Sequence, residues 1–264
     1  MLPQGTLKDR VAIITGGGTG IGRGIAEELA RLGARVVLAG RRQETIDAAA
    51  QAIEEAGGQA LAVRGDVRDP VAVDGIVSAA VERFGGVDIL INNAAGNFLA
   101  PAEKLSPNGW NAVVGIVLNG SFYCARAAGR RMIEQGHGGA ILNNVVSYAW
   151  TGGPGTVHSA AAKAGVLAMT RTLAVEWAPY GIRVNAIAPG PVQTENAARN
   201  LWPTPEEEER LRKRVPLGRF GTVQELAQAA SYLVSDYAGY ITGEVLTIDG
   251  GEWLGKGMFE YRKE

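Results

Sequence analysis

Val11-Ala-Ile-Ile-Thr15, followed by Gly16-Gly-Gly-Thr-Gly-Ile-Gly22, decides how this chain folds. The first run is apolar and rich in β-branched residues, as expected for a strand covered on both faces. The second run is a glycine-rich turn, carrying Thr19 and Ile21, that opens a helical pattern. Its glycines are spaced Gly16-x-x-x-Gly20-x-Gly22, unlike the Gly-x-Gly-x-x-Gly fingerprint. The physics is shared. Glycine lets the backbone turn tightly and approach a pyrophosphate, and the start of the helix offers unpaired N–H groups. Such a turn alone is often only structural, but the strand before it and the helix after it favour a nucleotide site.

The same alternation continues along the chain. Arg35–Ala39, Ala60–Val63, Val87–Ile91, Ala140–Leu142, Ile182–Asn185 and Val245–Ile248 read as six further strands. Helical segments fall near 21–32, 43–56, 70–84, 106–135, 156–178 and 222–235. Asp69-Pro70 and Ser106-Pro107 place a capping oxygen before a proline, and Thr222-Val-Gln-Glu225 is a capping box. Repeated strand–helix–strand units imply an α/β fold. The expectation is one doubly wound domain over 1–264, with a seven-stranded, mostly parallel sheet and helices on both faces. Segment 195–215, with Glu206 to Glu209 and Arg210 to Arg214, is either a solvated surface helix or part of a substrate lid around 193–216.

Composition narrows the function. With 26 basic and 27 acidic residues among 264, net charge is −1, so no general affinity for nucleic acid is expected. The single cysteine, Cys124, excludes an intrachain disulfide. No apolar run is read as spanning a bilayer, and the first residues lack a signal pattern, so a cytoplasmic protein without membrane contact is expected. His137 and His158 lack metal-ligand spacing, and no metal site is expected.

The second strand ends Leu38-Ala-Gly40-Arg41-Arg42. An NAD site typically has a carboxylate here, accepting from the ribose hydroxyls. Gly40 supplies none, and Arg41 is a cation able to hold a 2′-phosphate, which favours NADPH. The alternative is that both arginines are solvent charges at a strand end. Asp66-Val67 would face the adenine edge, and Asn92-Asn-Ala-Ala-Gly96, with Asn93 and Ala94, would pass beneath the cofactor.

Thr15 to Gly22, Asn92 to Gly96, Lys163 and Pro189-Gly-Pro-Val192, in that order over essentially the whole chain, resemble the short-chain dehydrogenase/reductase family. Such enzymes usually carry Tyr-x-x-x-Lys, with the tyrosine as proton donor. Here Val157-His-Ser-Ala-Ala-Ala-Lys163 has Ser159 at that position. A serine hydroxyl is a far weaker acid than a phenol, whose reference pKa is ~10. The substitution argues for a different proton path.

A narrower resemblance accounts for it. Asn93-Ala-Ala-Gly-Asn-Phe98, Leu105-Ser-Pro-Asn-Gly-Trp110, Ile116-Val-Leu-Asn-Gly120, Ser159 to Val166 and Ala174-Val-Glu-Trp177 are similar to the 2,4-dienoyl-CoA reductases of that family. In the branch with a catalytic tyrosine, that residue lies 15 positions before the lysine, which here is Tyr148. The resemblance implies NADPH-dependent reduction of 2,4-dienoyl-CoA in fatty-acid β-oxidation. Tyr148 and Asn97 would donate to the thioester oxygen, Lys163 would hold the nicotinamide ribose, and Ser159 would have a secondary role. Gly16, Thr19, Gly20, Ile21, Gly22, Arg41, Asp66, Val67, Asn93 and Ala94 would bind the cofactor, with Pro189, Gly190 and Val192 near its carboxamide. Arg68, Phe98 and Ser106 would line the acyl-CoA site, with Arg199 as the nearest basic residue after Pro-Gly-Pro. Asn119 would support a water and lysine relay, and the assembly would be a homotetramer. Residue by residue, plainer roles compete. Tyr148 could be a packed aromatic, Asn97 a turn residue, Lys163 a snorkelling surface lysine and Asn119 a helix kink. A carbonyl reductase or alcohol dehydrogenase of the same family, such as a 3-oxoacyl reductase, and a non-catalytic NADPH-binding protein are the competing functions.

Overall fold

A computed structural model describes residues 1–194 and 204–255. Strands β1 (Val11–Thr15), β2 (Arg35–Gly40), β3 (Gln59–Arg64), β4 (Ile89–Asn92), β5 (Gly139–Asn144), β6 (Ile182–Pro189) and β7 (Val245–Ile248) form one sheet in the order β3-β2-β1-β4-β5-β6-β7. All six pairings are parallel. Helices α1 (Gly20–Arg31), α2 (Gln43–Glu55), α3 (Pro70–Phe84), α4 (Pro107–Gln135), α5 (Tyr148–Thr151), α6 (Val157–Glu176), α7 (Pro205–Arg212) and α8 (Val223–Val234) connect or flank them.

The strands alternate between two cores. Ala12 and Ile14 of β1 pack with Ile25 and Leu29 of α1, Ile46 of α2 and Leu233 of α8. Val11 and Ile13 pack on the other side with Ile76 of α3, Met132 of α4 and Leu173 of α6. Both faces of the sheet are therefore buried, which explains why its strands read as continuous apolar runs. The strand order reverses between β1 and β4, opening a crevice at their carboxyl ends where α/β proteins bind ligands.

Local signals set several helix starts. The Asp69 carboxylate accepts from Val71 N–H, and the Ser106 hydroxyl accepts from Gly109 N–H, each with proline in the first turn. Thr222 and Glu225 close the expected capping box, and Thr204 with Glu207 forms a second one before α7. The segment 195–203, including Arg199, lies outside the described residues.

Helix α4 departs from the simple expectation twice. Its backbone widens to π-type turns over Gly115–Asn119. There it passes so close to the β3–α3 connection that a Cβ on Gly120 would meet Val67 at 2.7 Å. By length and composition alone, its 29 residues would suffice to cross a bilayer, contrary to the sequence reading. Half of its apolar window is buried inside this fold, with Ala125, Ala128 and Met132 in the core, so α4 acts as a core helix.

Candidate active site

A cleft of about 390 Å3 opens at the carboxyl ends of β1, β2 and β4. The glycine turn forms its floor. Gly16 and Gly20 have φ of 65° and 54°, in the left-handed region that glycine tolerates. A side chain at Gly22 would collide with the Gly16 carbonyl and the Asn93 amide. Thr19 precedes α1 without capping it through its side chain, and the first turn holds no acidic residue. The N–H groups of that turn are therefore available to an anionic ligand. Thr19, Gly20 and Ile21 line the cleft, as do Arg41, Asp66, Val67, Asn93 and Ala94. This set fits a dinucleotide, with the turn against a pyrophosphate and Arg41 at the adenosine end.

Hydrogen bonds brace this floor. The Thr15 hydroxyl accepts from Asn93 N–H and Ala94 N–H, both at 3.0 Å. The Asn93 amide donates to the carbonyls of Thr15 and Gly16 and accepts from Asn144 Nδ2 at 3.1 Å. Beneath it, Asn92 Nδ2 donates to Asn143 Oδ1, and Asn143 Nδ2 in turn donates to Thr170 Oγ1 at 2.8 Å. Asn143 and Asn144 are not among the residues the sequence reading names; two polar residues ending the apolar run of β5 are the signal available.

Asp66 and Arg68 form an ion pair at 2.5 Å. The Arg68 hydrogen bonds hold the Asp66 carboxyl below the usual carboxylate range, and the charge of Arg41 adds to that effect. Arg68 thus sits between the cofactor cleft and α4, its stem over Gly115.

Beyond the cleft lie the residues expected to meet substrate. Tyr148 starts the short helix α5, and its hydroxyl lies 3.0 Å from Ser159 Oγ. The Asn97 amide donates to the same phenolic oxygen at 3.3 Å. Asn97 Oδ1 accepts from Phe98 N–H at 2.9 Å, so the amide is pinned with its NH2 toward the phenol. Burial raises the Tyr148 pKa, with the Ser159 hydrogen bond working in the opposite direction. Phe98 is partly exposed and stands edge-on to His158, with centroids 4.5 Å apart. Ser106 is committed to capping α4 near Phe98.

Lys163 lies one turn after Ser159 on α6. It is buried, and its ammonium donates to the Asn144 carbonyl. Burial lowers its pKa to about 8. A snorkelling surface lysine is excluded. The helix-kink reading of Asn119 matches the widened backbone of α4. Asn119 ends the widened stretch of α4 with its side chain exposed, and makes no side-chain hydrogen bond among the described residues. Pro189 ends β6, and neither it nor Gly190 nor Val192 lines this cleft. Gly190 N–H donates to Ile248 and Val192 bridges to Gly221. Thr194, just beyond, does line the cleft.

A glycine-floored crevice at the sheet reversal, beside a buried lysine one turn after a serine that holds a phenol, defines an α/β nucleotide-dependent oxidoreductase. A family model described as enoyl-(acyl carrier protein) reductase matches residues 16–252. The chain belongs to the short-chain dehydrogenase/reductase family, whose Rossmann-type fold implies a nicotinamide cofactor. It is 50% identical over 249 residues to a Bacillus subtilis protein named "Probable 2,4-dienoyl-CoA reductase [(2E)-enoyl-CoA-producing]", covering 94% of this chain and 98% of that one. It is 43% identical over 249 residues to the Danio rerio "Peroxisomal 2,4-dienoyl-CoA reductase [(3E)-enoyl-CoA-producing]", covering 94% and 83%. Among solved structures, a short chain dehydrogenase from Bacillus anthracis superposes with a TM-score of 0.86 at 53% identity, covering 93% and 97%.

Proposed function

We propose that this chain reduces 2,4-dienoyl-CoA thioesters with NADPH. When bound, the nicotinamide supplies a hydride to the δ carbon of the conjugated diene. Electrons then move through the diene to the thioester oxygen, giving a dienolate. Tyr148 and Asn97 donate hydrogen bonds to that oxygen as its charge grows, an oxyanion hole built from two neutral donors. The observation that carries this reading is the Tyr148 hydroxyl held between the Asn97 amide and Ser159. A phenol whose pKa is raised by burial is a poorer acid but keeps its proton for donation, which suits this role better than ketone reduction.

Lys163, charged at neutral pH, binds the nicotinamide ribose and adds a positive field near the developing charge. Arg41 pairs with the 2′-phosphate, and Gly40 presents no carboxylate that would favour NADH. Phe98, with Arg68 at the mouth, lines the acyl-CoA side. Protonation at the α carbon yields the 3-enoyl thioester, and protonation at the γ carbon yields the 2-enoyl thioester. The names of the relatives include both products. A homotetramer with α4 and α6 packing across subunits completes the proposal, along with α7 as part of a lid.

The test is NADPH oxidation at fixed enzyme with 2,4-hexadienoyl-CoA beside acetoacetyl-CoA. Turnover of the diene and not of the ketone is expected, and NMR of the product reports the double-bond position. Turnover of the ketone alone would replace this reading with a carbonyl reductase.

A further inference from the structure

Helix α5, which carries Tyr148, is a single turn of four residues with no side-chain cap at its start. A turn this short has almost no intrinsic stability, since nucleation costs more than its hydrogen bonds return. Its position must be imposed from outside. On one side Asn97 and Ser159 hold the Tyr148 hydroxyl. Residues two apart on a helix point to nearly opposite sides. Trp150 accordingly leaves the other side of the turn, and its ring meets Trp253 edge-on, with centroids 5.8 Å apart and planes at 89°.

Trp253 is itself rigidly placed. The Asp249 carboxylate, just after β7, accepts from Gly251 N–H and Trp253 N–H, both at 2.9 Å. Gly250 and Gly251 take φ of 64° and 86°, which makes the tight turn possible. Arg214, following α7, donates to Glu252 at 2.9 Å, and Leu217 N–H donates to the Gly250 carbonyl. This turn is anchored to the sheet through Asp249, independently of α6 and of the 97–100 loop.

We infer that Trp253 is a positioning residue for the reaction. Through its edge-on contact with Trp150, it fixes the α5 turn and thereby sets where the Tyr148 hydroxyl stands. The catalytic consequence rests on the dienoyl-CoA reading above; the positional claim does not. The geometry is a clamp with Tyr148 gripped on its polar side and Trp150 on its apolar side. Loss of the apolar grip leaves the hydroxyl bonded to Ser159 but free to swing with the turn.

The experiment uses the full-length protein labelled with 3-fluorotyrosine, with the Tyr148 signal assigned by its absence in Tyr148→Phe. Trp253→Ala is expected to shift or broaden that 19F resonance in the folded protein, and Trp253→Phe, which keeps an edge-on ring, is expected to restore it. An unchanged Tyr148 resonance in Trp253→Ala would overturn the inference. For the reaction, Trp253→Ala should lower kcat roughly three- to tenfold, with NADPH affinity unchanged and rescue by Trp253→Phe. In a Tyr148→Phe background the same change should cost little more, because its effect runs through Tyr148. An equal loss in both backgrounds would also overturn the catalytic consequence. A moved resonance with full turnover in Tyr148→Phe would leave the clamp standing and remove the functional reading. If Trp253→Ala fails to fold, Trp150→Phe and Trp253→Leu probe the same contact.

Discussion

The Tyr148 hydroxyl lies 3.0 Å from Ser159 Oγ, across 11 residues of chain. Ser159 occupies the position where the family usually has its tyrosine, and it reaches a tyrosine supplied from elsewhere. The two hydroxyls form one hydrogen-bonded pair.

That relationship makes the serine dispensable relative to the phenol. Ser159→Ala removes one neutral hydrogen bond, and should lower kcat on dienoyl-CoA by less than about tenfold. Ser159 is 2% exposed, so Ser159→Tyr must force a ring into a packed site. It should reduce turnover further, without creating ketone reductase activity. Steady-state kinetics of the two variants, compared with Tyr148→Phe, checks this. A loss in Ser159→Ala equal to that in Tyr148→Phe would make the serine a principal donor.

Much of this fold was legible because local and global signals agree. Val11–Thr15 is legible to the residue because a strand buried on both faces is apolar throughout, and the edge strand Val245–Ile248, only partly buried, is legible by its short β-branched run. The site was legible only in part. Asp69, Ser106 and Thr222 announce caps through their immediate neighbours. The Asn93–Asn144 bond instead joins the ends of β4 and β5, which meet only once the sheet order is known. Asn119 stands where the backbone of α4 widens, which fits the helix-kink reading of its position. Helix α5 escaped notice because four residues carry no periodicity. The Asp66–Arg68 pair depends on a side chain folding back over two residues, which spacing alone does not reveal.

The buried ammonium of Lys163 should set the alkaline limb of activity. Its pKa is lowered to about 8, while that of Tyr148 is raised, so lysine loses its proton first. kcat/KM for NADPH, which reports the free enzyme, should fall above about pH 8. The limb should stay in place in Tyr148→Phe. A limb that moves with the tyrosine would assign it to the phenol.

The same burial costs stability. Below pH 8 both folded and unfolded chains hold the lysine proton, and the cost of the buried charge is fully present. Between about 8 and the ordinary value of 10.5, the unfolded chain binds more protons, so stability rises with pH. The shift corresponds to roughly 3 kcal/mol, partly offset in a variant by the donor that the Asn144 carbonyl would lose. Lys163→Met should therefore be inactive yet about 1–3 kcal/mol more stable at pH 7 without cofactor. Urea unfolding at pH 7 and pH 10 checks this, with the gap shrinking at the higher pH.

Arg41 and Gly40 line the cleft where an NAD enzyme would present a carboxylate. Arg41→Ala should weaken NADPH binding roughly ten- to hundredfold, the loss of one charge-assisted phosphate contact. NADH binding should change little. Fluorescence titration of both cofactors checks this, and equal affinity for the two in the wild type would remove the phosphate site.

Tyr148 and Asn97 meet at one oxygen, which gives the last prediction. The Asn97 amide now donates to the Tyr148 hydroxyl, at 3.3 Å, and its carbonyl oxygen is pinned by Phe98 N–H. In the proposed reaction both donors serve a thioester oxygen that gains charge only as hydride arrives. Interactions of that kind act on turnover more than on substrate affinity. Tyr148→Phe and Asn97→Ala should each lower kcat by roughly 10²–10³, with NADPH affinity unchanged. The double variant should lose less than the product of the single effects, because removing Asn97 also loosens the phenol it contacts and both act on one atom. Single-turnover kinetics with 2,4-hexadienoyl-CoA separates the chemical step from product release. Wild-type turnover in folded Tyr148→Phe would take the phenol out of the mechanism. Fully multiplicative losses would mean that the two side chains serve different atoms.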